Sequence, residues 1–295
     1  MIEALRGALG RAAKANRVDL ALRLTLLDLL LRPVGDGAVR FLLLAIAGCG
    51  LVFPGALRAP ALWWGIAALT TARVIADWPL ADNHAYLLCY WCAAAAIAVS
   101  SDDTDSFLAH NGRWLIGLVF AFATLWKAVL SPDYLSGVFF QVTLLVDPRF
   151  EPFTRLVAGV PPEWIDAQRA LLEQHADGGL PAAVGPALSA RFLALARVAT
   201  AGTLAWEGLV ALAFLWPRGR GPSRLRDICL QAFCSATYAV ATVEGFGWLL
   251  VAMAVAQCEP ASTRTRAAYL LVFAGILFYR EVPWLAFVAD RWAPG

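Results

Sequence analysis

Residues Arg113–Leu130 read RWLIGLVFAFATLWKAVL, an apolar run in which Arg113 and Lys127 are the charged side chains. A helix that crosses the hydrocarbon part of a bilayer needs about 20 mostly apolar residues, and this run is close to that length. Similar runs recur along the 295-residue chain, which is 60% hydrophobic and has a mean hydropathy of +0.64. Soluble domains are about half apolar, so the sequence predicts an integral membrane protein.

Seven segments are candidate membrane-spanning helices: Val39–Leu57, Pro60–Ala76, His84–Ser100, Arg113–Leu130, Arg191–Trp216, Ile228–Gln257 and Ala267–Ala289. The run Gly137–Val146 is too short to cross alone, so we expect it to be re-entrant or half of a broken helix. The expected fold is an all-α, polytopic transmembrane helix bundle of about seven or eight spans, with this short segment included.

The first 37 residues form a separate segment ahead of the predicted bundle. Arg23 and Asp28 interrupt a leucine-rich face in Val18–Leu31, a pattern typical of an amphipathic helix at the membrane surface. We expect no cleavable signal peptide here, because no short apolar core precedes a small-residue cleavage site. Residues 38–290 form the predicted transmembrane domain, which carries a polar insertion at residues 147–190.

Basic residues are concentrated in residues 1–40 and in the loop RGRGPSRLR at residues 218–226. The positive-inside rule predicts that both segments face the cytoplasm. Five full spans between them would put them on opposite sides, unless residues 137–146 complete a crossing or one segment breaks the rule. The Ala-, Leu- and Arg-rich composition suggests a bacterial inner-membrane protein. The net charge of +2, without a basic stripe, predicts no nucleic-acid partner.

Ionisable residues inside the predicted spans are functional candidates, because each costs about 2.5–3.5 kcal/mol to insert or needs a partner. Glu207, Glu244 and Arg280 are therefore candidates for binding a substrate or cofactor. The structural alternative is a neutral carboxylic acid bonded to a neighbouring helix, or an arginine paired with another span. Arg73 and Asp77 lie one helical turn apart and are predicted to form an ion pair. No metal site is predicted.

Two further residues stand out at the ends of predicted spans. Lys127 lies shortly before Pro132, so its stem could extend to the membrane interface. His84 follows Asp82 and Asn83 at the start of the third span. An Asp or Asn at this position is expected to cap the helix, and an imidazole can carry protons near neutral pH.

The order of these motifs resembles a known family. DNHAYLLCYW at residues 82–91 opens one span, RWLIGLVFAFATLWK ends another, and SPDYLSG at residues 131–137 follows. This pattern, with GFGWLLVAMA at residues 245–254, is similar to the membrane part of vitamin K-dependent γ-glutamyl carboxylase. The same part defines a wider bacterial group, the horizontally transferred transmembrane domain (HTTM) family. The resemblance covers roughly residues 35–290.

The resemblance implies roles for the matched residues. Lys127 would be the base that acts on reduced vitamin K or another quinone, and His84 would assist carboxylation. Asn83 and Tyr134, which lie in the two matched motifs, would contribute to binding the substrate or cofactor. If the chain is an enzyme, the implied activity is that of a γ-glutamyl carboxylase-like lyase in contact with membrane lipid and a peptide or protein substrate.

Two other functions remain open from the sequence. The chain lacks a large substrate domain, which fits a non-catalytic accessory protein for the maturation or export of antimicrobial peptides, or for immunity to them, working with a partner subunit. A weaker alternative starts from Cys89 and Cys92 in CYWC, which would exchange electrons with a quinone as a thiol pair. Two cysteines that simply pack between helices also explain this motif.

Overall fold

The computed structural model describes residues 2–32, 34–176, 188–217, 223–241, 243 and 245–292, and in these ranges it is all-helical, with no strand. The prediction of an all-α fold is confirmed. The helices are α1 Ile2–Lys14, α2 Arg17–Leu31, α3 Gly37–Val52, α4 Pro60–Ala76, α5 Asn83–Val99, α6 Thr104–Leu125, α7 Pro132–Leu135, α8 Val138–Val146, α9 Glu151–Ala158, α10 Pro162–Ala176, α11 Ala190–Leu215, α12 Ser223–Val240, α13 Phe246–Gln257, α14 Thr263–Glu281 and α15 Trp284–Trp292. A π-helical turn, Trp126–Leu130, extends α6, and a 3-10 turn, Pro148–Phe150, precedes α9.

Two helical stretches of the described chain are long and apolar enough to cross a membrane. They are Thr104–Leu130, with 27 residues, and Ala190–Leu215, with 26. Helices α14 and α15 form a third candidate if the pair, bent by 59° beside Pro283, counts as one span. The helices therefore provide two to three candidate spans, and the larger bundle of seven or eight stays a prediction. The predicted span Ile228–Gln257 is divided between α12 and α13.

The chain forms two compact units. Unit 1 comprises Met1–Phe120, Val210–Ser235 and Val243–Ile276, and unit 2 comprises Ala121–Leu209, Ala236–Thr242 and Leu277–Gly295. In unit 1, α2 packs against α3 and α13, and α4 packs against α5. Every residue of α13 from Gly247 to Gln257 is buried, so this helix is the centre of the unit.

Helix α2 differs from the amphipathic surface helix that the sequence suggested. Its extent agrees with the prediction, but nine of its 15 residues are buried, Asp28 among them. Leucines occur on more than one face of the helix, so it packs against neighbouring helices on several sides instead of lying on a surface. Asp28 Oδ2 lies 3.1 Å from Arg32 Nη2, which gives the buried carboxylate a partner of opposite charge.

Arginines in unit 1 bind the C-terminal carbonyl groups of neighbouring helices. These carbonyls have no intrahelical donor and attract cations. The donors and their acceptors are Arg40 to Leu29 at 3.0 Å, Arg113 to Phe214 at 2.7 Å, Arg17 to Cys258 at 2.7 Å and Arg266 to Ala13 at 2.8 Å. These buried or half-buried charges therefore stabilise helix ends.

The end of α1 and the start of α12 lie at the same end of unit 1. Arg266, near the start of α14, bonds to Ala13 at the end of α1. On the same helix α14, the Tyr269 hydroxyl donates to Asp227 Oδ1 over 3.0 Å. Asp227 follows Arg224 in the first turns of α12, so the end of α1 and the start of α12 share this end of the unit.

In unit 2, the predicted polar insertion is part of the core. Helices α9 and α10 pack against α8, and residues from α8 to α11 form one buried apolar cluster: Leu144, Leu145, Ala158, Val160, Ile165, Phe192, Leu195 and Ala196. Arg169 on α10 donates to the Leu145 carbonyl over 2.5 Å and to Glu151 over 2.8 Å. The insertion therefore folds back onto the helices that it connects.

Candidate functional site

Lys127 and Glu207 form the centre of the candidate site in unit 2. Lys127 lies in the π-helical turn that ends the long helix, and Glu207 lies in α11. The ammonium Nζ is 2.5 Å from Oε1 and 2.7 Å from Oε2 of Glu207, so it donates to both carboxylate oxygens. The helices approach closely here, because a Cβ added to Gly208 would lie 3.6 Å from Thr124 Cγ2.

The contact with Glu207 shows which part of α11 the Lys127 side chain reaches. Glu207 stands eight residues before Leu215, the end of α11, which is about 12 Å at 1.5 Å per residue. Lys127 therefore extends to the interior of a candidate span and not to its end. Its side chain is 22% exposed and that of Glu207 is 10% exposed. The pair is therefore largely enclosed by protein, and Lys127 keeps the larger exposed fraction.

Tyr134 completes the cluster. It lies in the short helix α7, and its ring centroid is 5.2 Å from Lys127 Nζ, within the range of a cation–π contact. Gly137 follows with φ of +83°, a left-handed conformation that favours glycine and lets the chain turn sharply into α8. The ring of Phe139 then packs 5.0 Å from the Tyr134 ring. The DYLSG segment therefore brings its tyrosine to the lysine.

His84 and Asn83 belong to unit 1. Asp82 caps α5 by accepting a hydrogen bond from the Ala85 amide over 2.9 Å, as predicted. His84 Nδ1 lies 3.6 Å from Asp82 Oδ1, and the imidazole centroid is 4.3 Å from that of Phe246. Asn83 is exposed. The convergence of His84 with Lys127 in one pocket stays a prediction, since the two residues are in different units.

The other charged candidates have separate surroundings. Arg280 Nε lies 3.5 Å from Glu281 Oε1 at the end of α14. Glu244 lies outside the described residues. The predicted pair of Arg73 and Asp77 is present at 2.8 Å. This geometry favours the structural interpretation of Arg73.

The two cysteines of CYWC differ in their surroundings. Cys92 is fully buried, whereas Cys89 is half-buried with Sγ 3.0 Å from the Thr71 hydroxyl oxygen. Both are free thiols. In the described part of the chain, no group of three or more His, Cys, Asp or Glu side chains is arranged to hold a metal ion.

Sequence reasoning selected Lys127, Tyr134 and Glu207 separately but missed that Lys127 and Glu207 are partners. The available signal was their opposite charge at positions inside two predicted spans, since a buried charge needs a counter-charge. The buried pair of Asp28 and Arg32 was missed for a different reason. In the sequence, Asp28 was interpreted as an interruption of the leucine-rich face of a surface helix, and no partner was named for it.

Comparison of the chain with protein-family models, with curated proteins and with solved structures finds no match. The chemistry open to the site is set by its own groups. An amine and a carboxylate in contact can move a proton and stabilise an oxyanion. An aromatic ring beside them provides an apolar wall.

Proposed function

We propose that this protein is a carboxylase-like integral membrane protein of the bacterial inner membrane that binds a reduced quinone and removes a proton from it, with Lys127 as the base. The observation that carries the proposal is the contact of Lys127 with Glu207 inside a candidate span, beside the Tyr134 ring. A charged pair at this depth is costly unless it has a function or stabilises the packing.

The surroundings of the pair suit an apolar ligand with a polar head. Side chains of the same helical segment are large, apolar and more than half exposed: Phe122, Leu125, Trp126, Val129 and Leu130. Such a surface favours contact with hydrocarbon. A reduced quinone would supply a ring hydroxyl as the proton donor. Lys127 would bind that hydroxyl oxygen and take its proton.

The lysines of the chain make a sharp test possible, because Lys14 and Lys127 are the only two in the sequence. We expect purified protein in lipid nanodiscs to convert vitamin K hydroquinone to its epoxide in the presence of oxygen. Lys127→Ala should lower the rate by about 100-fold or more, the usual contribution of a general base. The measurement is product formation followed by chromatography.

The matched control is Lys14→Ala, which removes an exposed amine at the end of α1. We expect it to retain the wild-type rate. Equal turnover in the wild type and Lys127→Ala would exclude Lys127 as the base. Loss of turnover in a Cys89→Ser, Cys92→Ser variant alone would instead favour thiol–quinone exchange.

One observation favours the accessory function as the second candidate. Glu207 already satisfies the charge of Lys127, so the pair can serve packing alone. In that case the wild-type protein should show no turnover. Lys127→Met should lower the melting temperature in detergent, and the charge-neutral double change Lys127→Met, Glu207→Gln should restore part of that loss.

A further inference from the structure

We propose that Glu207 is the final acceptor of the ligand proton and that Lys127 relays it, ending the step still protonated and paired with the ligand oxyanion. This inference rests on the proposed function. It changes the role of Glu207 from a binding residue to a positioning residue that acts through Lys127. It also makes the pair, and not the lysine alone, the base.

The geometry of the pair supports a relay. An ammonium group has three N–H donors, and two of them are accounted for by the two Glu207 oxygens at 2.5 and 2.7 Å. The third can point at a ligand oxygen. The amine therefore lies between the carboxylate and the position where a ligand hydroxyl would bind.

The charge states of Lys127 and Glu207 also support a proton relay. Both carboxylate oxygens accept hydrogen bonds from Nζ, and charge-assisted bonds of this length favour an ammonium with a carboxylate. An ammonium cannot accept a proton unless it gives one away. Glu207 is the carboxylate that Lys127 contacts within the described chain, and it can take that proton directly.

The step balances in atoms and charge. One N–H bond toward Glu207 breaks first as an O–H bond forms on the carboxylate, which leaves a neutral amine with a free lone pair. The amine turns this lone pair toward the ligand hydroxyl, the ligand O–H bond breaks, and its proton forms a new N–H bond on Lys127. At the end Lys127 is positive again, Glu207 is neutral, and the ligand oxygen is negative. The Tyr134 ring, 5.2 Å from Nζ, favours the cationic form of Lys127 in this final state.

The inference is tested with Glu207→Gln, Glu207→Asp and the control Glu163→Gln, which changes an exposed carboxylate of α10. We expect Glu207→Gln to lower turnover by about 100-fold or more and Glu207→Asp to restore part of the rate. The wild-type rate should fall at acid pH as Glu207 becomes protonated before the ligand binds. The residual rate of Glu207→Gln should lack this acid limb, which a merely structural role would not alter.

A second measurement does not depend on turnover. Vitamin K hydroquinone is added without oxygen, and infrared difference spectra are recorded for the wild type and Glu207→Gln. A new carbonyl stretch of a protonated carboxylic acid, absent from Glu207→Gln and present in Glu163→Gln, supports the relay even if the wild type forms no epoxide. Melting temperatures in detergent show which variants remain folded.

The outcomes separate the two proposals. Turnover in the wild type that persists in Glu207→Gln with the same pH profile overturns the relay and leaves Lys127 as the base. Absence of turnover from the wild type contradicts the proposed function, and the infrared result then decides the relay. Failure of the wild type to bind the hydroquinone overturns the relay. Binding without the infrared signal of a new protonated carboxylic acid also overturns the relay.

Discussion

A lysine in an apolar helix is explained by the group that it contacts. Lys127 extends toward Glu207 on another helix, with its charge satisfied by both carboxylate oxygens. The same principle applies to Asp28, which is fully buried in α2 beside Arg32. Each of these side chains lies beside a group of opposite charge, and the loss of one partner leaves the other without its neighbour.

Asp28 predicts a pH dependence of stability. Burial raises the pKa of Asp28 from 3.8 to about 7, although Arg32 lowers it in part. Arg32, which directly follows α2, is the charged group that acts on Asp28. The Cys92 thiol of α5 interacts electrostatically with both residues. The folded protein therefore holds a proton that the unfolded chain releases near pH 4, so stability should fall as the pH rises from about 4 to about 7.

We expect Asp28→Asn to remove this dependence, because the amide does not titrate. The measurement is the melting temperature in detergent between about pH 4 and about pH 7, the window set by the two pKa values. Asp166→Asn is the control, since the Asp166 side chain is 71% exposed. An unchanged pH slope in Asp28→Asn would show that another group is responsible.

At the scale of the helices, close packing depends on small residues. Gly112 on α6 contacts α13 in unit 1, where a Cβ would lie 2.7 Å from the Met253 carbonyl oxygen. Small residues at such contacts let helices in membrane proteins approach closely. Prolines mark the start of α10, at Pro162, and the bend between α14 and α15, at Pro283. The break between α12 and α13 was not predicted, because the apolar run continues through it.

Gly112→Ala should therefore destabilise the protein by roughly 1–3 kcal/mol, the usual cost of overpacking, since a backbone carbonyl cannot rotate away as a side chain can. Gly48→Ala on α3 is the matched control, because a Cβ there has no neighbour within 4 Å. It should be neutral or stabilising by up to about 1 kcal/mol, since alanine is the better helix former. Thermal melting of both variants in detergent tests this difference, and equal melting temperatures would contradict it.

For the whole molecule, the charge distribution bears on membrane orientation. The end of α1 and the start of α12 lie at the same end of unit 1, through the bonds of Arg266 to Ala13 and of Tyr269 to Asp227. The basic residues at these two helix ends, Lys14 and Arg224 among them, are therefore expected on the same side of the membrane. The positive-inside rule makes the cytoplasmic side the expected one.

An Arg224→Lys variant tests this orientation. Its new amine and Lys14 should both react with a membrane-impermeant amine reagent from the same side of sealed vesicles, because both lie at this end of unit 1. Peptide mass spectrometry identifies the labelled sites, and inverted vesicles identify the side. If the amines at positions 14 and 224 are labelled from opposite sides of the membrane, they do not lie at the same end of unit 1, and the inference is wrong.

Composition and local pattern alone determined that this is an all-helical protein with helices long and apolar enough to span a membrane. This follows from local physics, since an apolar segment in hydrocarbon must satisfy its own backbone hydrogen bonds and a helix does so within itself. The sequence also identified Lys127, Glu207 and Tyr134 as candidate functional residues. Only the tertiary structure decided that Lys127 pairs with Glu207, 80 residues away in the chain. Contacts between helices depend on their packing and register, which no local pattern contains. For the same reason, only the fold showed that α2 is buried and that the polar insertion belongs to the core.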